Sequence, residues 1–146
     1  MSASNTFENE ILLHIFQNAA VALIGDATGI RGSSTAGSLY VSLHTSDPGE
    51  AGDQSTNEAA YTNYARVAVA RTSGGWTVTN DTASNTATVS FPACGASGAT
   101  VTHFGIGTDS SGAGKLLFSG TLGSSLAVSN GITPSFSAGQ LTATAA

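Results

Sequence analysis

Charge is scarce in this chain. Of its 146 residues four are Lys or Arg and nine are Asp or Glu, 9% in all, against ~25% in an ordinary soluble domain. The cations Arg31, Arg66, Arg71 and Lys115 are scattered along the sequence. A nucleic-acid binder gathers several on one face to neutralise phosphates, so neither DNA nor RNA is an expected partner. Cys94 is the only cysteine, which excludes an intramolecular disulfide; following Phe91-Pro92, it reads as a small buried apolar residue. One cysteine and three histidines do not supply spaced zinc ligands, and no metal or other cofactor is expected. Long apolar runs are missing too. Residues 7–23 carry Glu8, Glu10, His14, Gln17 and Asn18, so they cannot cross a bilayer and no membrane partner is expected. The Met1 end has no basic n-region, so no signal peptide is expected, and the chain reads as made and used in a reducing cytoplasm, or exported only by lysis.

Glycine, serine, threonine and alanine fill the gap, with 40% hydrophobic residues and 18 glycines. Disorder needs charge and lacks β-branched residues; this composition instead suits short strands joined by tight turns. The length fits one domain, 1–146, able to bury a core without staples.

Residues 7–24 read as one amphipathic helix, with Phe7, Ile11, Leu12, Ile15, Phe16, Ala19 and Leu23 near a helical stripe. Asn5 is the expected cap, Glu8 its capping-box partner and Gly25 the stop. This makes residues 1–25 a helical arm, 26–38 a loop and 39–146 a β body. In the body, Leu39, Val41 and Leu43 alternate with Tyr40, Ser42 and His44, and further strands are expected at 66–70, 76–80, 87–91, 100–107, 115–119, 126–128, 132–136 and 141–144. Trp76, in phase with Val78, reads as core. A slip of apolar phase between Val101 and Phe104 predicts a bulge. Asn130-Gly131 predicts a hairpin. Nine short strands at this spacing predict a mainly β fold, an antiparallel β-sandwich or jelly roll with one N-terminal amphipathic helix; a barrel remains the alternative.

Little in the sequence points to a reaction. Asp109-Ser-Ser-Gly-Ala-Gly-Lys115-Leu lacks the first glycine and the Ser/Thr after lysine of a phosphate loop, and a hairpin turn is expected there. There is no Gly-x-Ser-x-Gly elbow, and His14, His44 and His103 read as structural. Asp47, Glu50, Asp53 and Glu58 make an acidic loop: a solvated loop, a Ca²⁺ loop of unfamiliar spacing, or a surface for a basic partner. Arg66 and Arg71 flank a strand. They either discourage edge pairing or pair with the acidic loop or another subunit. Tyr61 and Tyr64 are candidate interface aromatics. No catalytic residue is assigned and no enzyme activity is expected.

Several blocks carry a resemblance. They are Thr6-Phe7-Glu-Asn9, Leu39-Tyr-Val-Ser-Leu-His-Thr-Ser-Asp-Pro-Gly-Glu-Ala-Gly52, Tyr64-Ala-Arg-Val-Ala-Val-Ala-Arg71, His103-Phe-Gly-Ile-Gly-Thr108, Ser111-Gly-Ala-Gly-Lys-Leu-Leu117 and Val128-Ser-Asn-Gly-Ile-Thr-Pro134. Together the chain resembles a family of small virion structural proteins of tailed bacteriophages and prophages, similar to capsid cement (decoration) proteins and often labelled tail fibre. The resemblance implies a non-enzymatic protein made in the bacterial host cytoplasm. It would sit on the outer surface of the capsid and clamp neighbouring major capsid protein subunits as a homo-oligomer, a homodimer first. The alternative is a tail or tail-fibre component that binds tail proteins or host glycans. For the capsid role residues 1–24 and the 45–60 loop are the expected lattice contacts, with Phe7, Ile11, His14, Asp47, Glu50, Asp53, Glu58, Tyr61, Tyr64, Arg66 and Arg71 as interface candidates.

Overall fold

Ser4 starts the only helix of the computed structural model, whose described residues are 1–145. Along the chain, α1 (Asn5–Gln17) is followed by β1 (Ser38–His44), β2 (Val67–Ala70), β3 (Trp76–Thr79), β4 (Thr82–Asn85) and β5 (Val89–Ser90). Then come β6 (Ala99–Gly107), β7 (Leu116–Val128), β8 (Ser135–Phe136) and β9 (Thr142–Thr144). The strands form three antiparallel sheets, ordered β2-β1-β6-β7, β3-β4-β9 and β5-β8. The fold is mainly β with one short N-terminal helix, consistent with the expected β-sandwich class. The chain divides into two compact units, one of Met1–Ser38, Ala70–Thr88 and the C-terminal residues from Phe136, the other of Leu39–Val69 and Val89–Ser135.

In the first unit α1 packs on β3 and β4. Its cap is Ser4, not Asn5: Ser4 is extended and its Oγ accepts from Phe7 N–H at 3.4 Å. The helix stops at Gln17, well before Gly25, because Asn18 turns left-handed at φ 58° and its N–H bonds back to Leu13 O. Asn18 then exchanges two hydrogen bonds with the Ser33 backbone, 2.8 and 2.7 Å. These bonds reach fifteen residues along the chain and hold Asn18 out of the helix, and the apolar stripe gives no sign of them. Leu12, Phe16, Val21, Trp76, Ala83 and Leu141 are all fully buried, the larger ones contributing ~1.5–3 kcal/mol each. Phe16 meets Trp76 edge-on, centroids 4.8 Å apart. The helix is therefore part of this core, so removing residues 1–24 would strip the cover from Trp76 rather than detach an arm.

Strand β4 has no counterpart among the expected strands. Its inward residues are Ala83 and Asn85, and a buried asparagine breaks apolar alternation. Asn85 is satisfied by donating to Ala87 O (2.8 Å) and Ser137 O (3.0 Å) and accepting from Leu141 N–H (2.9 Å).

In the second unit β1 pairs with β6 in the register Val41 with Ile106, Leu43 with Phe104 and His44 with His103. One face buries Leu39, Val41, Leu43, Phe104 and Ile106, and Val89, Phe91 and Cys94 of the same unit are buried as well. The expected bulge is present. Val101 pairs with Leu126 but His103 with Thr121, so residues 122–125 leave the ladder. The strands expected at 115–119 and 126–128 are the two arms of this one bulged strand, β7. The 108–115 segment joins β6 to β7 as a hairpin loop. At Asn130-Gly131 a turn forms, Ile132 N–H to Ser129 O at 2.9 Å. The following strand, however, pairs with β5 and not with β7.

Candidate functional site: a braced acidic loop

Strand β1 ends at His44, and the chain returns to it fourteen residues later through a bridge between His44 and Glu58. Thr45 N–H bonds Asn57 O and Ala59 N–H bonds Leu43 O, each at 2.8 Å. The intervening loop thus has its ends together, as a compact surface loop does. Its turns are local. Asp47 Oδ1 accepts from Gly49 N–H at 2.9 Å. Asp53 Oδ1 accepts from Ser55 N–H at 2.8 Å and Ser55 Oγ at 2.6 Å, and these bonds hold its carboxyl below its ordinary pKa. Asp47 and Glu50 are exposed and Asp53 half-exposed.

Beneath the loop lies a buried polar network. Glu58 Oε1 accepts from Arg66 Nε (2.7 Å) and Tyr64 OH (2.8 Å), and Oε2 accepts from Arg66 Nη2 (2.8 Å). Arg66 also donates to Asp109 O (2.8 Å) and Gly112 O (2.6 Å) of the hairpin loop. One guanidinium therefore ties two loops, and its bond to Glu58 raises its pKa further. The Tyr64 hydroxyl accepts from Leu43 N–H at 3.0 Å, and burial drives its pKa far up. Gln54, fully buried, accepts from Asp109 N–H at 2.9 Å and gives its own backbone N–H to Ala113 O at 2.9 Å. Gly107 is required beneath it, since a Cβ there would collide with the Gln54 amide.

Ser42 and His44 make a hydroxyl–imidazole pair at 2.8 Å, with His44 Nδ1 2.8 Å from Thr56 O. A carbonyl only accepts, so Nδ1 carries the proton and Ser42 donates to Nε2. The geometry is that of a nucleophile and base, but both residues are fully buried and no reacting group can reach them. Burial lowers the His44 pKa. His103 lies across the strand pair from His44, bonded to Thr102 and Thr121. Among the described residues no group of three or more His, Cys, Asp or Glu could hold a metal ion.

Of the interface candidates, Glu58, Tyr64 and Arg66 meet in this network. Tyr61 is buried and donates to Pro92 O at 2.9 Å. Asp47, Glu50 and Asp53 stand around the loop above. Phe7, Ile11, His14 and Arg71 belong to the other unit. There Phe7 is exposed, Ile11 is half-buried and His14 Nδ1 donates to Ala19 O at 2.7 Å. Arg71 donates to His14 O (2.7 Å), Ile15 O (2.7 Å) and Ala36 O (3.0 Å), so it caps the helix end. Of the two readings of the arginines, Arg66 takes the ion pair with the acidic loop. Gln54 carries no sequence signal, because its partners are backbone atoms more than fifty residues on; Ser42 pairs with the His44 side chain two residues away, a spacing any polar pair on one strand face shares.

These features define a mainly β protein whose polar side chains brace exposed loops. The chain belongs to the family described as podophage GP4 fiber I protein gp80, whose sequence profile matches residues 2–144. It is a bacteriophage structural protein, a component of the virion. No curated protein matches it.

Proposed function

We propose that this chain is a non-enzymatic fibre component of the phage particle. In this reading it assembles as a homo-oligomer and meets neighbouring virion proteins through its braced loops. The match of residues 2–144 to a fibre-protein family carries the reading. The acidic loop supports it, since a rim of Asp47, Glu50 and Asp53 on a fixed base can meet a basic surface with little ordering cost. With four basic residues in the chain, nucleic acid is not the partner, and no membrane partner is proposed. A second reading places the chain on the outer surface of the capsid as a cement protein clamping major capsid protein subunits. The sequence blocks from Leu39 to Gly52 and Tyr64 to Arg71 favour it through their resemblance to decoration proteins.

Copy number in purified virions, measured by quantitative mass spectrometry against the major capsid protein, separates the two. A small number per particle is expected. A ratio near one to one would overturn the fibre assignment and put the chain on the head lattice.

A further inference from the structure

The second unit uses its carboxylates internally, with one exception. Asp47, Asp53, Glu58 and Asp109 each accept hydrogen bonds from their own chain. Among the described residues Glu50 makes no hydrogen bond or ion pair, and it is exposed. It stands at a corner of a tight turn, closed by Gly52 N–H on Gly49 O at 3.1 Å. The turn is held in shape: Asp47 binds Gly49 N–H, Gly49 takes φ 72°, and a Cβ on Gly52 would collide with Pro48 O. Across a cleft from the turn runs β7. There Leu116 pairs with Gly107 and Phe118 with Ile106, so Leu117 is the extra residue of a bulge, a device that re-aims side chains. Gly49, Glu50 and Gly52 on one side and residues 116–119 on the other line this cleft of about 250 Å³. Residues 116–118 are half-buried and Ser119 is exposed.

We propose that this cleft receives a lysine side chain of a different virion protein, its alkyl stem along residues 116–118 and its ammonium on the Glu50 carboxylate. A lysine lays its stem on apolar surface and keeps its charge at the rim. Donor count argues for lysine over arginine. Arg66 in the same unit bonds both Glu58 oxygens and two backbone carbonyls. The side chains lining the cleft supply as acceptors the Glu50 carboxylate and the Ser119 hydroxyl, a set that suits a compact ammonium better than a five-donor guanidinium. Charge argues for another protein over a second copy. Asp47 and Asp53 belong to the same loop, so two copies meeting at this cleft would bring together acidic loops of chains with net charge −5. The one lysine of this chain, Lys115, is exposed and makes no ion pair with Glu50. The inference rests on the reading above that the braced loop meets neighbouring virion proteins, and it names the chemistry of the partner there.

The test is carbodiimide cross-linking of purified particles, which joins a carboxylate to an amine in contact with it, followed by mass spectrometry of the linked peptides. Glu50 is expected to be joined to a lysine of a different virion protein. A second readout needs no cross-linker. Particles assembled with equal amounts of wild-type and Glu50→Gln chains should carry the variant roughly threefold less, the effect of one rim ion pair. Glu10→Gln, the same charge change on α1, should enter as wild type does. Glu50 makes no bond within the chain, so the isolated Glu50→Gln chain should melt with wild type, which separates a lost contact from a lost fold. No link from Glu50, or a link only to Lys115 of this chain in the same or another copy, would overturn the inference. So would equal incorporation of Glu50→Gln. Virion copy number is a separate readout. A ratio near one to one with the Glu50 link present fails the fibre assignment and keeps the cleft, and a small copy number without the link does the reverse.

Discussion

Arg66 grips Glu58 with two nitrogens, Nε on Oε1 at 2.7 Å and Nη2 on Oε2 at 2.8 Å, with the arginine side chain only 2% exposed. The two residues are eight apart in sequence, yet the pair fixes the acidic loop against the 108–115 hairpin loop through Asp109 O and Gly112 O. A pair so placed contributes little net stability when whole, but breaking it strands a desolvated charge.

Replacing Arg66 with Ala should therefore cost about 3 kcal/mol or more, as for a buried pair that loses one partner. Arg66→Lys should recover only part of this, because an ammonium cannot bond both carboxylate oxygens and two carbonyls in one plane. Urea denaturation of both variants checks it. A lysine variant as stable as wild type would mean that charge alone matters.

The other arginine works on the helix. Arg71→Ala removes three bonds to carbonyls of residues 14, 15 and 36. Two of them are at the helix end, where unpaired carbonyls gather. A loss of about 2 kcal/mol is expected, in the range for bonds to a charged donor. Amide exchange should speed up in α1 while β1 and β6 keep their protection; uniform acceleration would argue against a local cap.

Gly105 lies opposite Ser42 in the β1–β6 register. A Cβ there would come within 2.6 Å of Ser42 Oγ, 2.7 Å of His44 Nε2 and 2.9 Å of Leu116 Cδ1. Gly105→Ala must push apart a buried hydrogen-bonded pair, so a cost of about 2 kcal/mol is expected from overpacking. Pairing the substitution with Ser42→Ala should return part of that loss in thermal denaturation, since the nearest obstacle is then gone.

How much of this was legible in the sequence depended on whether the signal was local and apolar. Alternation in 39–44 marked β1, and the phase slip near Val101 marked the bulge, because both are read directly from side-chain period. The end of α1 was not legible. The apolar stripe runs on through Ala19 and Leu23, while the stop is set by Asn18 bonding to Ser33. Strand β4 was hidden by Asn85, a core residue of polar type. In the candidate site, Arg66 could be seen as a partner for the acidic loop because both are charged and near in sequence. Gln54 could not, since its partners Asp109 and Ala113 arrive from a hairpin more than fifty residues on.

His44 makes stability depend on pH with a definite sign. Burial lowers its folded-state pKa below the ordinary value of 6.5, so the unfolded chain takes up a proton first. Glu58, Arg66 and His103 are the charged and titratable groups around it, and Arg66 and His103 add to the lowering while Glu58 opposes it. The unfolded state then binds more protons in the window below pH 6.5, and stability falls there as pH falls. The loss levels off below the folded pKa, where both states are protonated. Hydrogen bonds from Ser55 hold the Asp53 carboxyl below its ordinary value, so it stays ionised through this window, and the His44→Gln variant separates the His44 contribution from the rest. The urea midpoint should drop between pH 7 and pH 5.5 in wild type and change less in His44→Gln. A wild-type midpoint that rises on acidification would mean that the folded state binds the proton more tightly, with the Thr56 carbonyl and Glu58 together outweighing burial.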